Sequence, residues 1–131
     1  MATALLLIAH GSRNPDANAD LHHLADEVRR RGLVELVETA FLELAEPTIA
    51  QASQRCVARG MQRIVLLPYF LSAGVHVCAD LRRHRDELVV RFPGVAFELA
   101  EPLGPHPLLV DIVLQRAMAA VQCGSQIVSP S

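Results

Sequence analysis

The stretch "LLLIAHGSRNPDAN", residues 5–18, decides how the chain is read. An apolar run suited to a buried strand stops at a histidine, and glycine, serine, arginine, asparagine and proline follow. Gly11 and Pro15 close the run, so the first strand is expected over residues 3–9. The period then changes. Leu21, Leu24, Ala25 and Val28 fall on one helical face, which predicts a helix over residues 16–31, with Asp16 as its cap and Gly32 as its stop. A buried strand that ends in a titratable side chain and a row of small polar residues is how a site begins.

The same strand–helix unit recurs along the chain. "LVELVETAFLEL" (33–44) has strand character at Val34, Leu36, Thr39 and Phe41, and Pro47 fits the first turn of a helix running through Ile49, Ala52 and Cys56 to Gly60. "RIVLLPYF" (63–70) predicts a third strand, and "VCADLRRHRDELVVRF" (77–92) a third helix stopped by Pro93 and Gly94. "VAFELA" (95–100) and "HPLLVDIVLQRAMAAV" (106–121) give the last pair. The tail "CGSQIVSPS" (123–131) is expected to be flexible, which leaves one domain over residues 1–122. Four alternating units imply a parallel sheet with right-handed crossovers, and strands apolar on both sides agree. The expected fold is a flavodoxin-like, three-layer α/β sandwich: a four-stranded parallel sheet with helices on both faces.

Composition narrows the function. A chain of 131 residues, 51% apolar, is one domain with enough apolar material for a core. A formal charge of −2, mixed in sign along the chain, speaks against an electrostatic nucleic-acid binder, and the lack of tryptophan against a base-stacking platform. Cys56, Cys78 and Cys123 are far apart, lack a CxxC motif and cannot all pair, as in reduced cytoplasmic proteins. "TALLLIA" is too short to span a bilayer and lacks the basic flank of a signal peptide, so no membrane association is expected.

In a parallel α/β sheet, ligands bind beyond the carboxyl ends of the strands. His10, Gly11 and Ser12 follow the first strand; Glu43 and Glu46 lie at the end of the second; His76 follows the third; Glu101 and His106 follow the fourth. Two imidazoles with a carboxylate form an N/O ligand set for Co²⁺, Fe²⁺, Ni²⁺ or Zn²⁺ and unlike a Mg²⁺ or Ca²⁺ site. Three protein ligands also leave coordination positions open. Plainer roles compete. His10 can be a hydrogen-bonded structural residue, His76 can cap its helix or pair with Asp80, and Glu46 can serve the N-terminus of the second helix. His22 and His23 fall on a polar helical surface, and His84 sits in "RRHRDE", a solvated face. Cys78 is two residues from His76 and points elsewhere on a helix.

Together, "LLLIAHGSRNPDAN", "AFLELAEPTI" and "LLPYFLSAGVHVCADL" resemble the signature segments of the CbiX/SirB-type sirohydrochlorin chelatases, the class II chelatases. "PLGPHPLLVDIVLQR" is similar to the family's closing segment. The resemblance covers nearly the whole chain, as one half of the longer two-domain chelatases. It implies insertion of Co²⁺ or Fe²⁺ into sirohydrochlorin, for cobalamin or siroheme, with cobalamin preferred. It matches His10 and His76 to the family's metal-site histidines and Glu43 to their acidic partner, and it implies a homodimer whose cleft holds the tetrapyrrole. The metal, Co²⁺ or Fe²⁺ with Ni²⁺ as a further choice, enters as a substrate, and no organic cofactor is expected.

The chemistry fits these residue types. The ion must shed water, the ring must bend, and two pyrrole N–H protons must leave. A labile His₂Glu site can hold an ion and release it. Bound imidazole must be neutral, so occupancy should fall below the imidazole pH range. His10 is the expected base, because Gly11 allows close approach. Backbone N–H groups in "GSRN" and "SAGV", with Ser12 and Arg13, are expected to anchor substrate carboxylates, and Ser72, Ala73 and Gly74 to let the ring approach the main chain. Arg82 and Arg83 are weaker anchors. A single four-stranded unit offers one wall of a cleft, an independent reason to expect a dimer. Three rivals stand beside this reading. A non-catalytic carrier of metal or tetrapyrrole would use the same residues. A histidine-phosphatase-like transferase resembles "RHG" where this chain has Ala9 before His10. A flavin binder would need a hydroxyl-rich phosphate loop after the first strand.

Overall fold

The structure, a computed structural model, describes residues 1–123. Strands and helices alternate as β1 (Thr3–Ala9), α1 (Pro15–Arg31), β2 (Leu36–Phe41), α2 (Ile49–Ala58), β3 (Arg63–Pro68), α3 (Val75–Arg91), β4 (Ala96–Leu99) and α4 (Pro107–Gln122). The strands form one parallel sheet in the order β2-β1-β3-β4, so the chain reverses its direction of winding between β1 and β3. This is the flavodoxin-like arrangement expected from the alternation. All of the expected tail but Cys123, the C-cap of α4, lies outside the described residues.

Side-chain alternation divides the core into two layers. On one face Ala4, Leu6 and Ile8 of β1, Ile64 and Leu66 of β3 and Phe97 of β4 pack against Ile49, Ala52 and Cys56 of α2 and Leu81 and Leu88 of α3. On the other, Leu7 of β1 with Val37 and Phe41 of β2 meets Leu21 and Ala25 of α1, the helical face expected from the sequence. Ser53 is the one polar side chain among the described residues buried without a hydrogen-bond partner.

The ends of the elements depart from expectation. Asn14, not Asp16, caps α1: its side chain accepts from the Asp16 N–H, and Pro15 takes the first helical position. α2 begins after Pro47, because Thr48 and Gln51 form a reciprocal capping box there. β2 and β3 are shorter at their ends than their apolar runs, since pairing stops at Phe41 and Pro68. α3 starts at Val75, so His76 lies inside its first turn and does not cap it; Gly74 is the N-cap and offers no side chain. The largest departure is α4. It buries none of its residues, and the second helix expected on the α1 face is missing from it.

Candidate functional site

The site begins where the ladder between β1 and β2 runs past the strands. Ala9 pairs with Phe41, the Leu42 N–H donates to the Ala9 carbonyl at 3.0 Å, and the Glu43 N–H to the His10 carbonyl at 3.0 Å. This continued register sets His10 beside Glu43. Gly11 makes the approach feasible: its φ is +102°, and a Cβ there would lie 1.8 Å from the Glu43 carbonyl oxygen. Leu44, at φ 65°, turns the chain away directly after Glu43.

The side chains meet accordingly. His10 Nε2 lies 2.8 Å from Glu43 Oε1, with both side chains more than half exposed. The His10 ring meets Phe70, in the loop after β3, in a T-shaped contact at 6.4 Å between centroids. His76 comes from the first turn of α3. It lines one shallow depression of about 310 Å³ with His10, Leu42, Glu43, Val77 and Asp80. Among the described residues no three His, Cys, Asp or Glu side chains stand close enough to hold an ion jointly. His10 and Glu43 are bonded to each other, and His76 faces them across the depression.

Other sequence candidates are placed elsewhere. Glu46 is exposed and outside the depression. His106 caps α4, its Nδ1 accepting from the Leu108 N–H at 3.1 Å. His84 Nε2 is 3.8 Å from Asp80, whose other oxygen pairs with Arg83. His22 contacts Thr39 Oγ1 at 3.2 Å, a structural use that the sequence did not reveal. Cys56 is fully buried, and burial pushes its thiol up to about 11, so it stays protonated and inert.

The "GSRN" turn is partly occupied by its own bonds. The Ser12 N–H donates to Asn18 Oδ1 at 2.9 Å, and Ser12 Oγ accepts from the Asn14 N–H at 3.0 Å. Ser12 thus braces the loop that carries His10, while Arg13 is exposed and forms no ion pair with the described residues. Ser72 and Gly74 are exposed at the uncapped N-terminus of α3.

Sequence reasoning passed over a second cavity, of about 210 Å³, between the loops after β3 and β4. Cys78, Arg82 and Arg85 of α3 line it opposite Glu101, and Arg83, the other arginine considered, is tied to Asp80 and Glu87. The spacing of 78, 82 and 85 on one helical face was the available signal. A larger open groove of about 640 Å³ lies on the outer face of α3, lined by Arg82, Arg83, Asp86 and Glu87 among others. No residue from a strand end reaches that groove, so the site is assigned to the smaller depression.

A doubly wound parallel sheet with imidazoles and a carboxylate at the carboxyl edge defines an α/β protein that handles a ligand or metal beyond its strand ends. The CbiX family model matches residues 4–120, and the chain belongs to the CbiX family. It is 35% identical to a chloroplastic sirohydrochlorin ferrochelatase of Arabidopsis thaliana, over 88% of this chain and 51% of that protein. It is 32% identical to a sirohydrochlorin cobaltochelatase of Methanopyrus kandleri, over 90% of this chain and 96% of the relative. Among solved structures, the sirohydrochlorin chelatase SirB of Bacillus subtilis subspecies spizizenii in complex with cobalt superposes with a TM-score of 0.84 at 27% identity, over 91% of this chain and 51% of that one. The chain thus spans about half the length of the plant enzyme and of SirB.

Proposed function

We propose that the protein is a sirohydrochlorin chelatase that inserts Co²⁺ or Fe²⁺ into the tetrapyrrole. The observation that carries this reading is the His10–Glu43 pair at 2.8 Å facing His76 across one open depression. The relatives named as cobaltochelatase and ferrochelatase supply the substrate class. Both ions suit two imidazoles and a carboxylate, so the ligand set leaves the choice to metal supply.

In this mechanism a divalent ion inserts between His10 and Glu43, the proton between them leaves to solvent, and His76 joins the two as a ligand when its side chain swings across the depression. Half-exposed ligands on a shallow ledge release it again. As the ion enters the ring, two pyrrole N–H protons leave, one to the freed His10 imidazole and the other to solvent. Glu43 then stabilises the imidazolium as a charge-assisted pair. Arg13 and the free N–H groups at the start of α3 bind peripheral carboxylates of the substrate. The exposed side chains of Leu44 and Val75, chain neighbours of Glu43 and His76, offer apolar surface to the ring.

One ledge cannot enclose a flat macrocycle, and enclosure is what excludes water and bends the ring. A homodimer supplies the second wall in this reading. The three free cysteines suit a cytoplasmic setting. Absorbance-monitored metallation of sirohydrochlorin with Co²⁺ and Fe²⁺ tests the proposal. Many metallated rings per protein, formed faster than without it, are expected. At most one ring per protein, with tight metal or tetrapyrrole binding, would make it a carrier.

A further inference from the structure

The cavity between the loops after β3 and β4 opens at the same edge of the sheet as the His10–His76 depression. Pro68 and Leu99, which end β3 and β4, line it with Ala73, and Cys78, Arg82 and Arg85 enter from α3. The depression takes His76, Val77 and Asp80 from the same helix. The two hollows therefore flank the first turns of α3, separated by about 10 Å, the width of a helix.

The two arginines of the cavity keep their donors free. Arg82 forms no ion pair or side-chain hydrogen bond with the described residues, and Arg85 gives only its Nε, to Asp86 Oδ1 at 2.9 Å. Both terminal amino groups of Arg85 are thus available. Arg83 lies between them in sequence but is tied to Asp80 and Glu87 and lines no part of this cavity. The Cys78 thiol donates to the Ala73 carbonyl at 3.7 Å. Glu101 stands opposite the arginines and, among the described residues, pairs with neither. Two guanidinium groups and one carboxylate leave a single positive charge, which suits a monoanion and not a dianion such as phosphate. A planar guanidinium matches a carboxylate at two points. The uncapped start of α3 adds the positive end of its dipole beside Ala73.

We infer that Arg82 and Arg85 form a carboxylate subsite, which takes one peripheral carboxylate of the tetrapyrrole while the centre of the ring lies over His76. The inference rests on the chelatase reading and adds to it a residue pair that sets how the ring is turned on the ledge. Size favours an arm of the ring over the ring itself. The cavity holds about 210 Å³, below the roughly 300 Å³ at which pockets for whole drug-sized ligands begin. Position favours it too, since the cavity and the metal ledge open at one edge with a single helix between them. A ring whose carboxylate is seated here has lost its freedom to rotate about the metal.

The test is titration of metal-free sirohydrochlorin into the full chain, followed by absorbance. Wild type is compared with the double variant Arg82→Gln, Arg85→Gln. A second double variant, Arg31→Gln, Arg59→Gln, removes the same charge at the opposite edge of the sheet, where α1 and α2 end. The cavity variant should raise Kd for the ring, and KM in cobalt insertion, about ten-fold, and the far-edge variant should stay within about two-fold of wild type. Co²⁺ binding without the ring should not change in the cavity variant, since neither arginine reaches the depression. Sirohydrochlorin with its carboxylates esterified should bind wild type and cavity variant alike. Equal ring affinity in wild type and cavity variant would overturn the subsite and leave the chelatase reading standing. So would equal losses in the two double variants, or loss of Co²⁺ binding in the cavity variant. Acetate bound by wild type but not by the cavity variant, with ring affinity equal in both, would assign the cavity to a free anion and overturn the subsite. A wild type that neither binds nor metallates the ring would overturn both readings.

Discussion

A methyl group added at Gly11 would sit 1.8 Å from the Glu43 carbonyl oxygen, on a backbone whose φ of +102° already disfavours any side chain. Gly11→Ala is therefore expected to cost at least about 2 kcal/mol of stability and to separate His10 from Glu43. Chemical denaturation and Co²⁺ titration of the same variant check both effects; wild-type stability with wild-type metal affinity would show that the close approach is dispensable. His10 and Glu43 were legible in the sequence as candidates because each lies at the end of an apolar run. Their contact was not, because it depends on the Ala9–Phe41 register and on Gly11, and apolar patterning carries no register between strands. Ser12 shows the converse. The sequence suggests it as a substrate anchor, but the bonds of its Oγ to the Asn14 N–H and of its backbone N–H to Asn18 arise from the local fold of the loop.

At the scale of elements, α2 is the helix whose start positions the loop after β2. The Phe41 N–H bonds to the Pro47 carbonyl at 2.9 Å, and the Thr48–Gln51 capping box follows at once, so the box anchors the far end of the loop that carries Glu43. Thr48→Ala should lower stability by about 1 kcal/mol. It should also weaken metal binding more than an equally destabilising change at an exposed position of α1 would; equal effects would uncouple the cap from the site. Element types and order were readable from periodicity alone. Ends were not, since an apolar run continues past the last paired residue, as at Leu42 and Phe70, where it packs loops rather than strands. α3 began two residues early because a glycine N-cap gives no side-chain signal. The stance of α4 was the least legible feature. Its apolar sequence predicts burial, yet α4 buries none of its residues.

At the scale of the molecule, the proposed function makes the chain one wall of a site. Sheet order brings the ends of β1, β2 and β3 together at one edge, α3 adds His76, and the depression between them is open. In the proposed function that openness suits an ion that must be handed on, and a second wall is needed before a ring can be held and bent. The most direct test of the account is the initial rate of Co²⁺ insertion into sirohydrochlorin by the wild type, His10→Ala and His76→Ala, each shown to be folded. The account predicts losses on the order of 100-fold or more in both variants, the scale of a lost positioned base or ligand. Either variant inserting cobalt at the wild-type rate would contradict it, because the His10–Glu43–His76 ledge would then not be where the chemistry occurs.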